Sequence, residues 1–219
     1  FFEFAGGFFS LKNFRRYLQL YFRMLAAPVG NTIKAYKVIS FENALKFLQL
    51  SVAFYTLLTA GKVLYTRVIE KMTKEPLWRE VFTEAFYLIG IVGGYLILLK
   101  FFYMFASKRW GKKDKHDYVK MYCLFAGFVL PLQGIFFYLT AKFLTSSNPG
   151  DFSSLDVIRV ILNIGFSTSV LLYASYIWQY FWNAPGNKVV SMLLWAALLS
   201  FIICFAAIIL IFMPLDIDL

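Results

Sequence analysis

The sequence predicts an all-α integral membrane protein in which five transmembrane helices follow an amphipathic helix at the membrane surface. Of the 219 residues, 60% are hydrophobic and 16% are charged, and the mean hydropathy is +0.66. Soluble domains are closer to half apolar and a quarter charged. Apolar runs of about 20 residues, the length that crosses a bilayer core, recur along the chain. Lys and Arg cluster between alternate runs, which predicts an orientation as well as a fold.

Five apolar segments are long enough to span the hydrocarbon core as helices. They define a transmembrane domain at 44–213, preceded by an N-terminal segment at 1–43 and followed by a short tail at 214–219. Phe, Tyr and Trp make up 21% of the chain, and these rings suit both lipid contact and the two membrane interfaces. The predicted spans cover about 44–66, 82–106, 118–144, 157–182 and 189–213.

Residues 10–27 place apolar and basic side chains at the spacing of an amphipathic helix. Such a helix lies in the membrane plane with its basic face toward anionic headgroups. The alternative is that it packs against the protein's own bundle, and the two placements are compatible. Pro28 and Gly30 are expected to end it. The predicted contacts with anionic lipid on this helix are made by Lys12, Arg15, Arg16 and Arg23.

The distribution of Lys and Arg predicts the orientation in the membrane. The N-terminal segment and the segments 107–117 and 183–188 together contain twelve Lys and Arg, against four in 67–81. Short basic loops stay in the cytoplasm, so we expect a cytoplasmic N-terminus and a C-terminus on the opposite side. A bacterial inner membrane is favoured, with an organelle membrane as the alternative. The 107–117 loop adds predicted contacts with anionic lipid at Lys108, Arg109, Lys112 and Lys113.

The second span carries a patch of small residues, Gly90, Gly93 and Gly94. Gly90 and Gly94 form a Gly-x-x-x-Gly pair, which allows two helices to approach closely. The patch predicts helix packing, either inside the bundle or with a second copy or a partner helix.

The third span contains Pro131, with Gly127 and Gly134 on either side. A Pro inside a membrane helix removes a backbone hydrogen bond, and the flanking glycines add freedom, so we expect a kink. A helix break near the middle of the membrane often lines a cavity. This leaves a small transporter or channel open as an alternative function.

Few groups in the sequence suit catalysis or metal binding. His116 is the single histidine, and Cys123 and Cys204 both lie in apolar runs. The sequence contains no Cys-x-x-Cys pair, no Gly-rich phosphate loop and no Gly-x-Ser-x-Gly elbow. The deep interiors of the spans hold no carboxylate, which disfavours proton-coupled transport. We therefore expect no enzyme activity, no cofactor and no metal.

Several features follow the plan of a known family. An amphipathic helix reaches Leu25 and Pro28, a short polar stretch follows, and 40–44 opens the first span. After the second span, RWGKKDKHDYVK leads into AGFVLPL, which has a Gly-Phe and a downstream Pro where the family tends to have Gly-Tyr and Pro. Over roughly 14–213 the chain resembles a bacterial-type Yip1 domain. The resemblance implies five spans, a cytoplasmic N-terminus and a non-enzymatic organiser of the membrane.

The Asp-Leu-Tyr-Gly-Pro motif of the eukaryotic trafficking members is missing here, so the resemblance does not extend to a Rab-type partner. The leading expectation is a membrane-embedded adaptor, or an accessory subunit of a larger membrane protein complex. Its expected partners are a bilayer with anionic lipids and other membrane proteins or a second copy. Nucleic acid is not expected, because no predicted segment outside the membrane is long enough for a binding module.

Overall fold

The computed structural model describes residues 11–68, 77–143 and 154–212, and every regular element in these ranges is an α-helix. The predicted all-α fold class is thereby confirmed. Two short helices come first and five long ones follow. The helices are α1 (Leu11–Ala26), α2 (Pro28–Val38), α3 (Phe41–Val68), α4 (Leu77–Trp110), α5 (Lys115–Phe143), α6 (Ser154–Trp182) and α7 (Gly186–Phe212).

The five long helices coincide with the five predicted segments, and each begins a few residues earlier. The extra residues are largely polar, and a helix continues into them wherever water or a capping group satisfies its ends. Residues 1–10, the tail 214–219, most of 67–81 and most of 145–156 lie outside the described residues. Among the described residues, two stretches are long and apolar enough to cross a membrane, Lys115–Phe136 and Val157–Trp182, and Gly186–Leu199 is apolar but shorter.

Pro28 begins a helix that is not predicted from the sequence. It follows the end of α1, as expected, but it also occupies the first turn of α2. Pro suits this position because its missing N–H would be unpaired there and its φ is already helical. Thr32 and Ala35 of α2 are buried, and Thr32 Oγ1 lies 2.7 Å from the Tyr173 hydroxyl of α6. The polar stretch expected before the first span is therefore a helix docked on the bundle.

The predicted basic loop is a tight turn between α4 and α5. Gly111 has a φ of 89°, a left-handed conformation that glycine adopts readily just beyond a helix end. The Asp114 carboxylate accepts a hydrogen bond from the His116 backbone N–H at 2.9 Å and caps α5. Lys108 and Arg109 lie in the last turn of α4, where the helix dipole favours positive charge.

Helices α3 and α5 run side by side in the same direction and form the most extensive helix pair of the described structure. A Cβ added to Gly127 would lie 2.6 Å from Cδ1 of Phe47, and one added to Gly134 would lie 2.8 Å from Cδ2 of Tyr55. The two rings occupy the space that the missing side chains leave. These glycines let α3 approach α5 closely, as small residues do in membrane bundles.

Pro131 lies inside α5, which continues as a helix on both sides of it. Since Pro has no N–H, the carbonyl of Gly127 loses its usual donor within the helix. The Ser51 hydroxyl of α3 lies 2.6 Å from that carbonyl oxygen and donates to it. The Tyr21 hydroxyl of α1 donates to the carbonyl of Phe128 at 3.2 Å. Neighbouring helices therefore satisfy the backbone around the Pro.

An aromatic cluster joins the end of α4 and the end of α6 to the start of α5. The Tyr118 ring lies 4.8 Å from that of Tyr103 and 4.9 Å from that of Trp178, measured between centroids. Tyr118, Trp178 and Phe181 are all buried. Because the start of α5 meets the ends of α4 and α6, α5 runs antiparallel to both. The α4–α5 turn and the α6–α7 turn therefore lie at the same end of the assembly.

Candidate functional site at the basic end of the bundle

One end of the helical assembly collects three basic segments that are distant in sequence. Tyr36 of α2 packs edge-on against Phe181 near the end of α6, and Trp110 at the end of α4 packs against Trp182. We call this surface, formed by α1, α2, the α4–α5 turn and the α6–α7 turn, the basic end. Its exposed basic residues are Arg15, Arg16, Arg23, Lys34, Lys37, Lys108, Arg109, Lys112, Lys113, Lys115 and Lys188.

Part of the apolar side of helix α1 is buried against the bundle, and the rest is exposed. Tyr17, Tyr21 and Met24 are buried against α3 and α5. The next apolar stripe around the helix stays uncovered, and Phe22 is 63% exposed. In the structure this helix packs on its own bundle, which is the alternative placement given above. The uncovered stripe remains free to contact a membrane. That stripe contains Phe14, Phe22 and Leu25.

The two buried tyrosines of α1 act as hydroxyl groups and not as acid–base groups. The Tyr17 hydroxyl lies 3.3 Å from Ser51 Oγ. Burial raises the pKa of Tyr17, and the hydrogen bond with Ser51 opposes that rise in part. Burial also raises the pKa of Tyr21 far above its ordinary value, and the neighbouring Tyr17 adds to the effect. Both hydroxyls therefore keep their protons and serve as structural partners of α3 and α5.

A cleft of about 280 Å³ lies between α1 and α3, and we call it the α1–α3 cleft. Its rim carries two cations from α1, Arg16 and Arg23, and one from α3, Lys46, together with the amides of Gln19 and Asn43. No acidic residue is among those that line it. The apolar floor consists of Tyr17, Leu20, Ile39, Phe47 and Leu50.

A second cleft, of about 690 Å³, lies between the end of α4 and the start of α7, and we call it the α4–α7 cleft. Arg109 and Lys188 are its two cations, and Trp195, which is 62% exposed, is its largest apolar residue. Both clefts thus combine basic groups with apolar surface at the basic end. The remaining lining residues are Phe105, Asn187, Ser191, Met192 and Leu199.

The structure brings some of the predicted lipid-contact residues together and leaves others apart. Arg16 and Arg23 line the same cleft as Lys46. In the sequence Lys46 is simply a basic residue near the start of the first predicted span. The available signal is that Arg16 and Arg23 are seven residues apart, on one side of α1. Arg109 meets Lys188 in the α4–α7 cleft. The side chain of Lys12 lies outside the described residues, and the exposed residues that line neither cleft are Arg15, Lys108, Lys112 and Lys113.

The predicted packing glycines of α4 have no close neighbour in the described part of the chain. A Cβ added to Gly90, Gly93 or Gly94 would meet nothing within 4 Å. The close approach between described helices occurs instead at Gly127 and Gly134 of α5. A role for the α4 glycines in contact with a second copy or a partner helix stays a prediction.

The described ranges contain no group of three or more His, Cys, Asp and Glu side chains that could hold a metal. His116 is exposed, and its ring packs edge-on against Phe41 at 5.3 Å. Cys123 is a buried free thiol, whereas the Cys204 side chain lies outside the described residues. The described side chains that line the two clefts at this end are mainly cationic, amide and apolar.

No family model, curated protein or solved structure matches the chain.

Proposed function

We propose that the chain is a multi-pass integral membrane protein in which α3 to α7 form five spans, with the basic end in the cytoplasm and the C-terminus on the opposite side. A bacterial inner membrane is the favoured site and an organelle membrane the alternative. In that setting the chain acts as a non-enzymatic organiser, an adaptor or accessory subunit that binds other membrane proteins or a second copy. The Yip1-like plan of the sequence is part of this proposal.

The uncovered surface of α6 is the observation that carries the proposal. Of an 18-residue apolar window within Val157–Trp182, 11% of the residues are buried within the chain. Ile161 and Ile164 are each 61% exposed, and Leu162 between them is exposed as well. An apolar helix face of this extent is unfavourable in water and is covered by lipid or by another protein. Cover by lipid places α6 in a membrane, and cover by protein requires a partner chain.

The basic end supports the expected attachment to anionic lipid. Anionic headgroups attract Lys and Arg near the cytoplasmic surface by about 1 kcal/mol each. The uncovered apolar stripe of α1 adjoins these charges, and such a combination is typical of helices at a membrane surface. Lipid contact and protein contact therefore fall on different parts of the chain.

Accessibility of single cysteines tests the five-span arrangement. In a Cys123→Ala, Cys204→Ala background, Lys112→Cys and Asn187→Cys should react with an impermeant maleimide only from the cytoplasmic side. Ser147→Cys, between α5 and α6, should react only from the other side. Reaction of all three from one side, or release of the chain by alkaline carbonate, would contradict the arrangement.

Site-specific photo-crosslinking tests the adaptor role. A photoreactive residue at Ile161 of α6 should give a discrete protein adduct in native membranes, because this face is the proposed contact. Leu57 of α3 is the matched control, since it is 67% exposed on another helix and lines neither cleft. Equal adducts at both positions would remove α6 as the specific surface. A chain that gives no protein adduct and purifies alone, without self-association, would refute the adaptor role.

The alternative, a small transporter or channel lined by α5, has no observation in its favour in the part of the chain that the structure describes. Pro131 is buried, and the rings of Phe47 and Tyr55 fill the space beside Gly127 and Gly134. Pro131 lines neither of the two clefts.

A further inference from the structure

We propose that the α1–α3 cleft is a discrete site for the phosphate headgroup of one anionic phospholipid. The inference rests on the proposed membrane embedding, which brings the basic end to the level of the headgroups. It goes beyond a diffuse attraction between basic residues and anionic lipid, because it assigns one ligand to a fixed set of side chains on two helices.

The register of the two helices brings the cations to the same gap. Arg16, Leu20 and Arg23 are spaced by four and three residues, which places them along one side of α1. Asn43 and Lys46 are spaced by three residues on α3, and all five residues line the cleft. A ligand in the gap therefore meets positive charge from two helices, which a site on a single helix surface does not offer.

The charge of the cleft is unbalanced within the described part of the chain. Arg16, Arg23 and Lys46 form no ion pair with a described residue, and the lining contains no carboxylate. Glu42 directly precedes Asn43 in the sequence, but its side chain is exposed and does not line the cleft. A bound anion relieves the repulsion among like charges. Phosphate suits the site because guanidinium groups bind its oxygens in bidentate fashion.

The floor of the cleft favours a lipid over a free phosphate ion. Tyr17, Phe47 and Leu50 of the floor are buried, and the rings of Tyr17 and Phe47 pack at 5.2 Å between centroids. An inorganic ion gains nothing from this fixed apolar surface, whereas the first acyl methylenes of a phospholipid do. The cleft, of about 280 Å³, is on the scale of a phosphate-bearing headgroup and not of a whole phospholipid.

Native mass spectrometry of the full chain in mild detergent tests the site. We expect one dioleoyl phosphatidylglycerol to bind more tightly than dioleoyl phosphatidylcholine, whose headgroup has no net charge. The triple variant Arg16→Gln, Arg23→Gln, Lys46→Gln should weaken phosphatidylglycerol binding by about tenfold or more, since it removes several charge-assisted hydrogen bonds.

The matched control removes the same charge from the same end. Its substitutions are Lys34→Gln, Lys37→Gln and Lys115→Gln, all exposed, all outside both clefts and none among the predicted lipid contacts. It should bind phosphatidylglycerol within about twofold of the unaltered chain, because exposed charges outside the site contribute little once no membrane surface is present. Equal weakening in both variants, or weakening in neither, would overturn a discrete site.

Two further arms identify the ligand and the geometry. Inorganic phosphate that displaced the lipid as effectively as soluble phosphatidylglycerol would overturn the lipid assignment, because the floor would then play no part. The double variant Arg16→Lys, Arg23→Lys keeps charge and fold but loses the bidentate geometry, so we expect an intermediate loss. Full retention would overturn the role of the guanidinium groups. Since the titration is made in detergent, its outcome is independent of the cysteine accessibility that tests the five spans.

Discussion

Among the described residues, helices α5 and α6 carry the two stretches long and apolar enough to span a membrane, yet their surroundings are opposite. Of an 18-residue apolar window in α5, 61% of the residues are buried within the chain, against 11% in the corresponding window of α6. α5 packs along α3 and receives hydrogen bonds from Ser51 and Tyr21. α6 joins the aromatic cluster through its last turns, whereas its earlier residues, such as Ile161, are uncovered.

The difference lies in what each helix requires from its neighbours. α5 has glycines that admit rings and a Pro that leaves the Gly127 carbonyl without a donor in its own helix, so it depends on protein contacts. α6 makes its backbone hydrogen bonds within the helix and presents branched apolar side chains to its surroundings. Lipid or a partner helix can cover these side chains. Apolar composition alone thus does not distinguish a central helix from a peripheral one.

The largest expected effect comes from filling the space at Gly127. Gly127→Leu should lower the free energy of unfolding by about 3 kcal/mol, because the new side chain meets the Phe47 ring and the Leu48 backbone. The measurement is the thermal unfolding midpoint of the purified chain in mild detergent.

Gly165→Leu in α6 is the matched control, since a Cβ at Gly165 would meet nothing within 4 Å. We expect a change within about 0.5 kcal/mol, as for surface substitutions in general. A large loss of stability at Gly165, or none at Gly127, would reverse the assigned roles of the two helices.

The next effect concerns the carbonyl that Pro131 leaves unpaired. Ser51→Ala removes its donor from α3 and should cost about 1–2 kcal/mol, the range for a buried unsatisfied group and for hydrogen bonds between membrane helices. Ser169→Ala in α6 is the control, because Ser169 is exposed and donates only to Gly165 of its own helix. Equal midpoints for the two variants would mean that Ser51 does not support α5.

The positions of the long helices could be predicted from the sequence because they depend on local properties. Long apolar runs and their polar boundaries locate α3 to α7 to within a few residues. α2 could not be predicted in this way, since it is held by tertiary contacts such as that between Thr32 and Tyr173. A short helix of moderate propensity forms when one of its faces is buried.

The candidate site was only half predictable for the same reason. The basic face of α1 follows from helical periodicity, and so do Arg16 and Arg23. Whether Arg16 and Arg23 lie near Lys46 depends on which part of the wide apolar side of α1 faces the bundle. Periodicity does not decide whether Tyr17 or Phe14 is the buried residue.

Likewise, a Gly-x-x-x-Gly pattern indicates that another helix can approach α4 closely but does not identify that helix. At Pro131 the sequence predicted a kink, and the donor that α3 supplies to the Gly127 carbonyl is seen only in the structure.

The smallest expected effect tests whether α1 belongs to the α5 side of this comparison. Tyr21→Phe keeps the ring that packs on Phe128 at 5.5 Å and removes only the hydroxyl that donates to the Phe128 carbonyl. Since that bond is long, at 3.2 Å, we expect a loss of about 0.5–1 kcal/mol in the free energy of unfolding. Tyr176→Phe in α6 is the control, because Tyr176 is 55% exposed, and its midpoint should stay unchanged. Should Tyr21→Phe be neutral while Ser51→Ala is destabilising, the backbone around Pro131 would depend on α3 alone, and α1 would be attached by its rings without supporting α5.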